Sequence, residues 1–272
     1  PVWASSPVIS LTSSIGMASR DRFEYQELDG IKMHVGFCDW SKPISVPQNA
    51  ALMTRAAIRA ATGPVPKPVH LEISAEMFRA DAGKAPIYRD EKHGTVTSRR
   101  IPPPAGVMKI IVERLLKAKR PVIVAGKGCI ISEAWNEVTK LAEALQIPVV
   151  TSLGGKGSIS EDHDLAVGTM GRNSRVVGNN TIRACDTVLV IGSRLGGLAT
   201  HRWTLPFGEK TLFQIDTNND MLGHNYKAEI SVLADAKAAL EDALAEIKRG
   251  KLARKEPSPW TKKIMADIKI WR

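Results

Sequence analysis

The pattern of apolar and polar positions changes character near residue 107 of this 272-residue chain. Before that point, residues 7–13 (PVISLTS) and 68–73 (PVHLEI) are short apolar runs bounded by small or turn-forming residues, which predicts two strands. Between them Ala51, Leu52, Arg55, Ala56, Ile58 and Arg59 recur at helical spacing, so a helix is predicted over 48–61, stopped by Thr62-Gly63-Pro64. After 107 helices alternate with wholly apolar strands: helices over 107–117, 133–145, 172–183 and 234–247, strands over 121–125, 147–151, 187–191, 211–215 and 230–233. Continuous Val/Ile strands separated by helices imply a parallel sheet covered on both faces. The expected fold class is α/β: a doubly wound, Rossmann-like domain over 107–250, preceded by part of a second α/β domain over 1–78. Residues 79–106 are polar and end in Ile101-Pro102-Pro103-Pro104, an extended linker by composition.

Composition narrows the class without naming a function. With 43% apolar residues, 21 Gly, 16 Pro and 3 Cys, the chain is neither collagenous, nor a disulfide scaffold, nor disordered throughout. The net charge is +10, but nine basic and two acidic side chains in residues 248–272 account for +7 of it. That tail carries only scattered Trp260, Ile264, Ile268 and Trp271 and no RNA-binding signature, so residues 251–272 are expected to be a solvated basic connector, with no nucleic-acid or membrane partner. Cys38, Cys129 and Cys185 have neither disulfide-framework nor zinc spacing, which fits a reducing cytoplasm. No apolar run reaches the length of a membrane span, and no signal-peptide pattern is present.

Candidate chemistry gathers where strands end. Open parallel sheets bind ligands beyond their carboxyl ends, and the loops there are glycine-rich: Gly126-Lys127-Gly128, Ser152-Leu153-Gly154-Gly155-Lys156-Gly157, Gly168 to Asn173, and Gly192 to Gly197. Glycine lets backbone approach a phosphate, Arg172 or Arg194 can supply charge, and Asp216 at a strand tip can accept from ribose hydroxyls. The same residues are equally read as tight strand-to-helix turns, with Asp216 capping Asn218. Gly126-Lys127-Gly128 is neither GxGxxG nor a P-loop, which argues against a nicotinamide-dependent oxidoreductase. His163 reads as a surface residue, and His34, His70, His93, His201 and His224 stand isolated in sequence. No catalytic triad, carboxylate pair or metal-ligand set emerges from spacing.

Residues 141–157 (LAEALQIPVVTSLGGKG), then His163, Gly168 and 184–194 (ACDTVLVIGSR), closely resemble the central domain of thiamine-diphosphate enzymes of the acetolactate synthase and oxalyl-CoA decarboxylase group. Residues 23–27 (FEYQE) are similar to the family's Phe-Gln-Glu segment, and 57–69 (AIRAATGPVPKPV) to the helix, turn and strand that close its pyrimidine-binding domain. The resemblance implies that 1–78 is the C-terminal part of the pyrimidine-binding domain, 107–250 the central domain and 251–272 a connector toward the diphosphate-binding domain.

It further implies that the intact enzyme uses thiamine diphosphate and Mg²⁺ to make or break a carbon–carbon bond beside a carbonyl, on a 2-oxo acid or related donor, as a homo-oligomer. The family's Gly-Asp-Gly metal and diphosphate motif is absent, as is the segment carrying its catalytic glutamate, so this chain is expected to be an internal piece, inactive alone. No catalytic or metal residue is assigned here; Tyr25 and Gln26 are the substrate-side candidates. The positions matching the family's FAD or ADP crevice are Gly126, Gly128, Gly154, Gly171, Arg194 and Asp216. Gly171-Arg172-Asn173-Ser174 stands where flavin-binding members have Gly-Met-His-Gly, and Arg194-Leu195-Gly196-Gly197-Leu198 where they have Arg-Phe-Asp-Asp-Arg, so FAD, ADP and an empty crevice stay open. A non-catalytic nucleotide-binding or assembly module is the alternative from a different class.

Overall fold

The computed structural model describes residues 4–87 and 94–271; His93 lies outside the described residues. The chain divides into two compact units, 1–99 and 100–272.

In the first unit β1 (Val8–Ser14), β2 (Trp40–Ile44) and β3 (Pro68–Ser74) form a parallel sheet in the order β1-β3-β2. Its apolar face packs Ile44, Val69 and Leu71 against Ala57 and Ala61 of α2 (Ala50–Ala61). The helix begins two residues later than the periodicity predicts, because Pro47–Asn49 forms a 3₁₀ turn first. It stops at Thr62, whose N–H and hydroxyl both donate to the Ile58 carbonyl. The opposite face is crossed by the short helix α1 (Gly30–Val35), and α3 (Ala75–Arg79) follows β3. Strand β2 escapes sequence reading because Pro43 interrupts it; as an edge strand it tolerates a residue without an N–H.

The second unit holds α4 (Val107–Lys117), β4 (Pro121–Ala125), α5 (Lys127–Ile131), α6 (Trp135–Leu145), β5 (Val149–Thr151), β6 (Ala166–Thr169) and α7 (Val176–Ala184). After them come β7 (Thr187–Ile191), β8 (Thr211–Asp216), β9 (Ile230–Leu233), α8 (Ala236–Gly250) and α9 (Pro259–Trp271). All six strands are parallel, in the order β6-β5-β4-β7-β8-β9. Counted within the unit this is 3-2-1-4-5-6, the doubly wound dinucleotide-binding order, with its switch point between β4 and β7. Side chains alternate across the sheet as the period of two requires. Ile123, Ala125, Leu189 and Ile191 face α4, α6 and α8, while Val122, Val124, Val188 and Val190 face α7 and α9. Each buried aliphatic side chain contributes about 1.5–3 kcal/mol of transfer free energy.

Three of the boundaries that differ from expectation do so for evident local reasons. Helix α6 starts at Trp135 because Glu133 adopts a left-handed conformation (φ 55°) after α5. Strand β5 starts at Val149 because the Ile147 N–H closes the end of α6 on the Ala142 carbonyl. Helix α7 starts at Val176 because Asn179 turns its amide onto both backbone groups of Gly171, holding 171–175 as a loop.

The basic tail is the main correction. Residues 259–271 form α9, and Trp260, Ile264 and Ile268 are only 7, 3 and 4% exposed, packed into the sheet's second face. Those three residues recur every fourth position, a helical stripe opened by Ser258-Pro259. The Trp260 indole N–H donates to the Pro121 carbonyl (3.1 Å) and the Thr261 hydroxyl to the Gln146 carbonyl (2.7 Å). Arg254 ties the approach to α9 through its N–H to Ala144 and its guanidinium to the Leu116 carbonyl (2.6 Å). Within α9 the basic residues Lys262, Lys263 and Lys269 lie on the exposed face of a core helix. Replacing Trp260 by Ala is therefore expected to cost about 3–5 kcal/mol, seen as a lowered urea midpoint, whereas Lys263→Ala stays within about 0.5 kcal/mol. Equal midpoints for the two variants would return the tail to a solvated connector.

Candidate site at the carboxyl rim of the central sheet

At the switch point the loops after β4 and β7 touch backbone to backbone. Gly126 N–H donates to the Ile191 carbonyl (2.8 Å) and Gly128 N–H to that of Gly192 (2.9 Å). A Cβ on Gly126 would lie 2.2 Å from the Gly192 oxygen, and one on Gly128 2.5 Å from the Gly192 Cα. Gly192 itself has φ 59°, a left-handed conformation. These glycines act as close-approach turns, one of the two readings the sequence left open, and their N–H groups are already engaged.

The remaining candidates differ from one another. A Cβ on Gly154 would lie 3.2 Å from the Lys127 Cβ, whereas the tight position in that loop is Gly155, whose Cβ would meet the Ala125 carbonyl at 2.2 Å. Gly171 (φ 103°) is closed in by the Leu198 carbonyl at 2.1 Å from a built Cβ, and its N–H and C=O are both bonded to the Asn179 side chain. Asp216, at the tip of β8, accepts the Asn218 N–H (2.9 Å) as the capping reading expects. Burial holds the Asp216 carboxyl above its usual range, opposed by the Asn218 N–H and by the neighbouring Arg194 guanidinium. Arg194 and Asp216 are thus brought together at the rim. The N–H groups of Gly126, Gly128 and Gly171 are all hydrogen-bonded within the chain.

Sequence reading missed the loop that follows Arg194. His201, Arg202 and Trp203 are successive left-handed residues (φ 52°, 55° and 60°), a conformation costly for non-glycine residues. The turn is held by Arg202 N–H on the Gly197 carbonyl (2.6 Å) and by the His201 ring on the Gly171 carbonyl (3.3 Å). Trp203, 60% exposed, lies over Gly197, where a Cβ would approach its ring to 3.1 Å. Lys156, Arg172, Arg194 and Arg202 stand on loops at this rim and Lys127 opens α5 there, with Glu161 pairing to Lys156 (3.2 Å). The rim can attract an anion through side chains, while the backbone N–H groups of Gly126 and Gly128 are committed elsewhere.

Other singled-out residues are also relocated. His163 is not a free surface ring: Nδ1 accepts the Leu165 N–H (3.1 Å), which leaves Nε2 to donate to Glu143 (3.2 Å). His34 and His70, isolated in sequence, are stacked on one another in the first unit. Tyr25 and Gln26 lie on an exposed loop, Tyr25 82% exposed and Gln26 left-handed (φ 65°), where the Glu27 carboxylate gathers the Asp21 and Glu24 N–H groups. Burial pushes the Cys129 and Cys185 thiols up to about 12, leaving both inert. Among the described residues no three His, Cys, Asp or Glu side chains converge as metal ligands.

Comparison with known proteins assigns the family. Residues 108–243 match the family model described as thiamine pyrophosphate enzyme, central domain. A probable acetolactate synthase large subunit of Methanocaldococcus jannaschii is 32% identical over 264 residues, 96% of this chain and 44% of that protein. The 2-hydroxyacyl-CoA lyase 1 of Dictyostelium discoideum is 25% identical over 248 residues, 87% of this chain and 40% of that protein. In fold, the chain superposes with a TM-score of 0.70 on a Mycobacterium smegmatis protein whose X-ray structure is described as that of a thiamin diphosphate-dependent enzyme; the match has 22% identity and covers 89% of this chain and 46% of that one. The chain spans less than half the length of the relatives it matches. With its 3-2-1-4-5-6 sheet and these matches, the chain belongs to the thiamine pyrophosphate enzyme family, residues 108–243 being the central domain.

Proposed function

We propose that this chain is the middle portion of a thiamine-diphosphate- and Mg²⁺-dependent enzyme that makes or breaks a carbon–carbon bond beside a carbonyl, acting on a 2-oxo acid or related donor. The observation that carries the reading is the alignment of 96% of the chain with 44% of an acetolactate synthase large subunit. Residues 1–78 are then the C-terminal part of the pyrimidine-binding domain, and the intact protein works as a cytoplasmic homo-oligomer. Three buried free cysteines agree with a reducing compartment, and no described helix is long and apolar enough to cross a membrane.

The residues present do not fit the metal and diphosphate. No Gly-Asp-Gly occurs in the sequence, and no ligand set converges among the described residues, so no catalytic step is derived through them. Tyr25 and Gln26 remain the substrate-side candidates. The 272-residue chain is expected to release no CO₂ from pyruvate with thiamine diphosphate and Mg²⁺, whereas the full-length polypeptide that contains it does so in a thiamine-diphosphate-dependent way. Turnover by the chain alone would overturn its inactivity, and full-length turnover indifferent to thiamine diphosphate would overturn the assignment.

At the carboxyl rim the reading places FAD or ADP beside the turns at Gly126, Gly128, Gly154 and Gly171, against Arg194 and Asp216. A charge-assisted hydrogen bond from Arg194 to a phosphate is worth about 1.5–3 kcal/mol, so Arg194→Ala is expected to weaken ADP binding about tenfold or more by titration calorimetry. A yellow chain absorbing near 450 nm would select FAD. Absence of binding by either nucleotide would make the domain a structural brace; nucleotide binding by a full-length protein without turnover would favour the assembly-module reading.

A further inference from the structure

Helix α1 has six residues, too few to be stable alone, and its buried residues are Gly30 and His34. Met33 and Val35 are exposed, so the helix is not docked by an aliphatic stripe. What meets the sheet is an imidazole: the His34 ring stacks on His70 of β3 with centroids 3.6 Å apart and planes 5° from parallel. Both residues are buried, His34 4% and His70 0% exposed.

Hydrogen bonding sets the tautomers that this pair can adopt. His34 Nδ1 lies 2.7 Å from the Gly30 carbonyl, which only accepts, so Nδ1 carries the proton and Nε2 accepts from the Ser10 hydroxyl (3.3 Å). His70 is held between the Thr12 hydroxyl on Nε2 and the Ser41 hydroxyl on Nδ1, both at 2.8 Å. One neutral tautomer on each ring satisfies all four nitrogens. A proton added to His34 would force the Ser10 hydroxyl to reverse and would set a cation face-on against the neighbouring ring.

Among the described residues, the charged groups around the pair are already paired. On β3 and the same face lies buried Glu72, engaged by Arg20 from the loop before α1 (3.3 Å). Within α1, Lys32 pairs with the capping Asp29 (3.0 Å). Beyond α1 stand buried Cys38, whose N–H bonds to the His34 carbonyl, and exposed Asp39, paired with Lys67 (3.8 Å). From β1 and β2 the facing groups are the neutral hydroxyls of Ser10, Thr12 and Ser41. Burial and the adjacent His34 both lower the His70 pKa below its ordinary 6.5.

We propose that the His34–His70 stack is an acid-sensitive latch: it holds α1, and with it the preceding loop that carries Tyr25 and Gln26, against the first unit's sheet at neutral pH and releases them as the pH falls through the histidine range. The sign follows from linkage. The docked state binds fewer protons than the released one, so docking is strongest above about pH 6.5 and weakens as the pH falls below it. The proposal stands independently of the activity assigned above.

Hydrogen exchange on the 272-residue chain, corrected for intrinsic rates, tests it. Protection of the amides of 32–38 is expected to fall about tenfold between pH 7.5 and 5.5 for each proton that docking excludes, while β4 and β7 stay protected. A His34→Leu/His70→Leu double variant is expected to lose that pH dependence. Should this variant not fold, the imidazole resonances of the unaltered chain decide the matter: the latch requires a His70 midpoint below 6.5 and loss of stacking shifts on titration. Unchanged protection at pH 5.5, or two ordinary independent titrations near 6.5, would overturn the latch.

Discussion

The central unit depends on how closely the chain can approach itself between β4 and β7. These two strands are the middle of the parallel sheet, and each leaves it through glycine into a loop that presses on the other. A side chain at Gly126, Gly128 or Gly192 would drive the loops apart and break the N–H bonds to Ile191 and Gly192. That contact puts the switch point where it is, and the rim loops bearing Arg194, Trp203 and Asp216 fan out from it. The space that the missing side chains leave on the facing sides of these loops is taken up by backbone.

The two units solve the covering of a parallel sheet differently. In the second unit both faces are carbon against carbon, with α4, α6 and α8 on one side and α7 and α9 on the other. In the first unit α2 covers an apolar face, but the opposite face carries His70, Glu72, Thr12 and Ser10 and meets α1 through hydrogen bonds and a ring stack. Apolar burial is insensitive to pH, whereas a polar interior holds only while its groups keep one protonation state. The polar face of the first unit is therefore a place where packing can respond to solvent acidity.

Much of the second unit was legible in the sequence because its signals are local and redundant. The helix over 107–117 and the strands over 121–125, 187–191 and 230–233 match the structure residue for residue, since continuous apolar runs between turn residues admit few alternatives. The tail misled because charge drew attention from period: Trp260, Ile264 and Ile268 already lie four apart, but nine basic residues around them read as solvated. Long basic side chains on the outer face of a helix are compatible with a buried inner one.

By itself the sequence determined the fold class, the alternation of helix and strand, the glycine turns at strand ends and the family. Hydrophobic period and turn chemistry are properties of neighbours along the chain. Which nitrogen of His34 carries a proton, that it rests on a histidine 36 positions away, that Asn179 occupies both backbone groups of Gly171, and that Gly126 packs against Gly192 were decided by tertiary structure. Each is a contact between residues distant in sequence, and residue type alone does not say which partner satisfies a hydrogen bond.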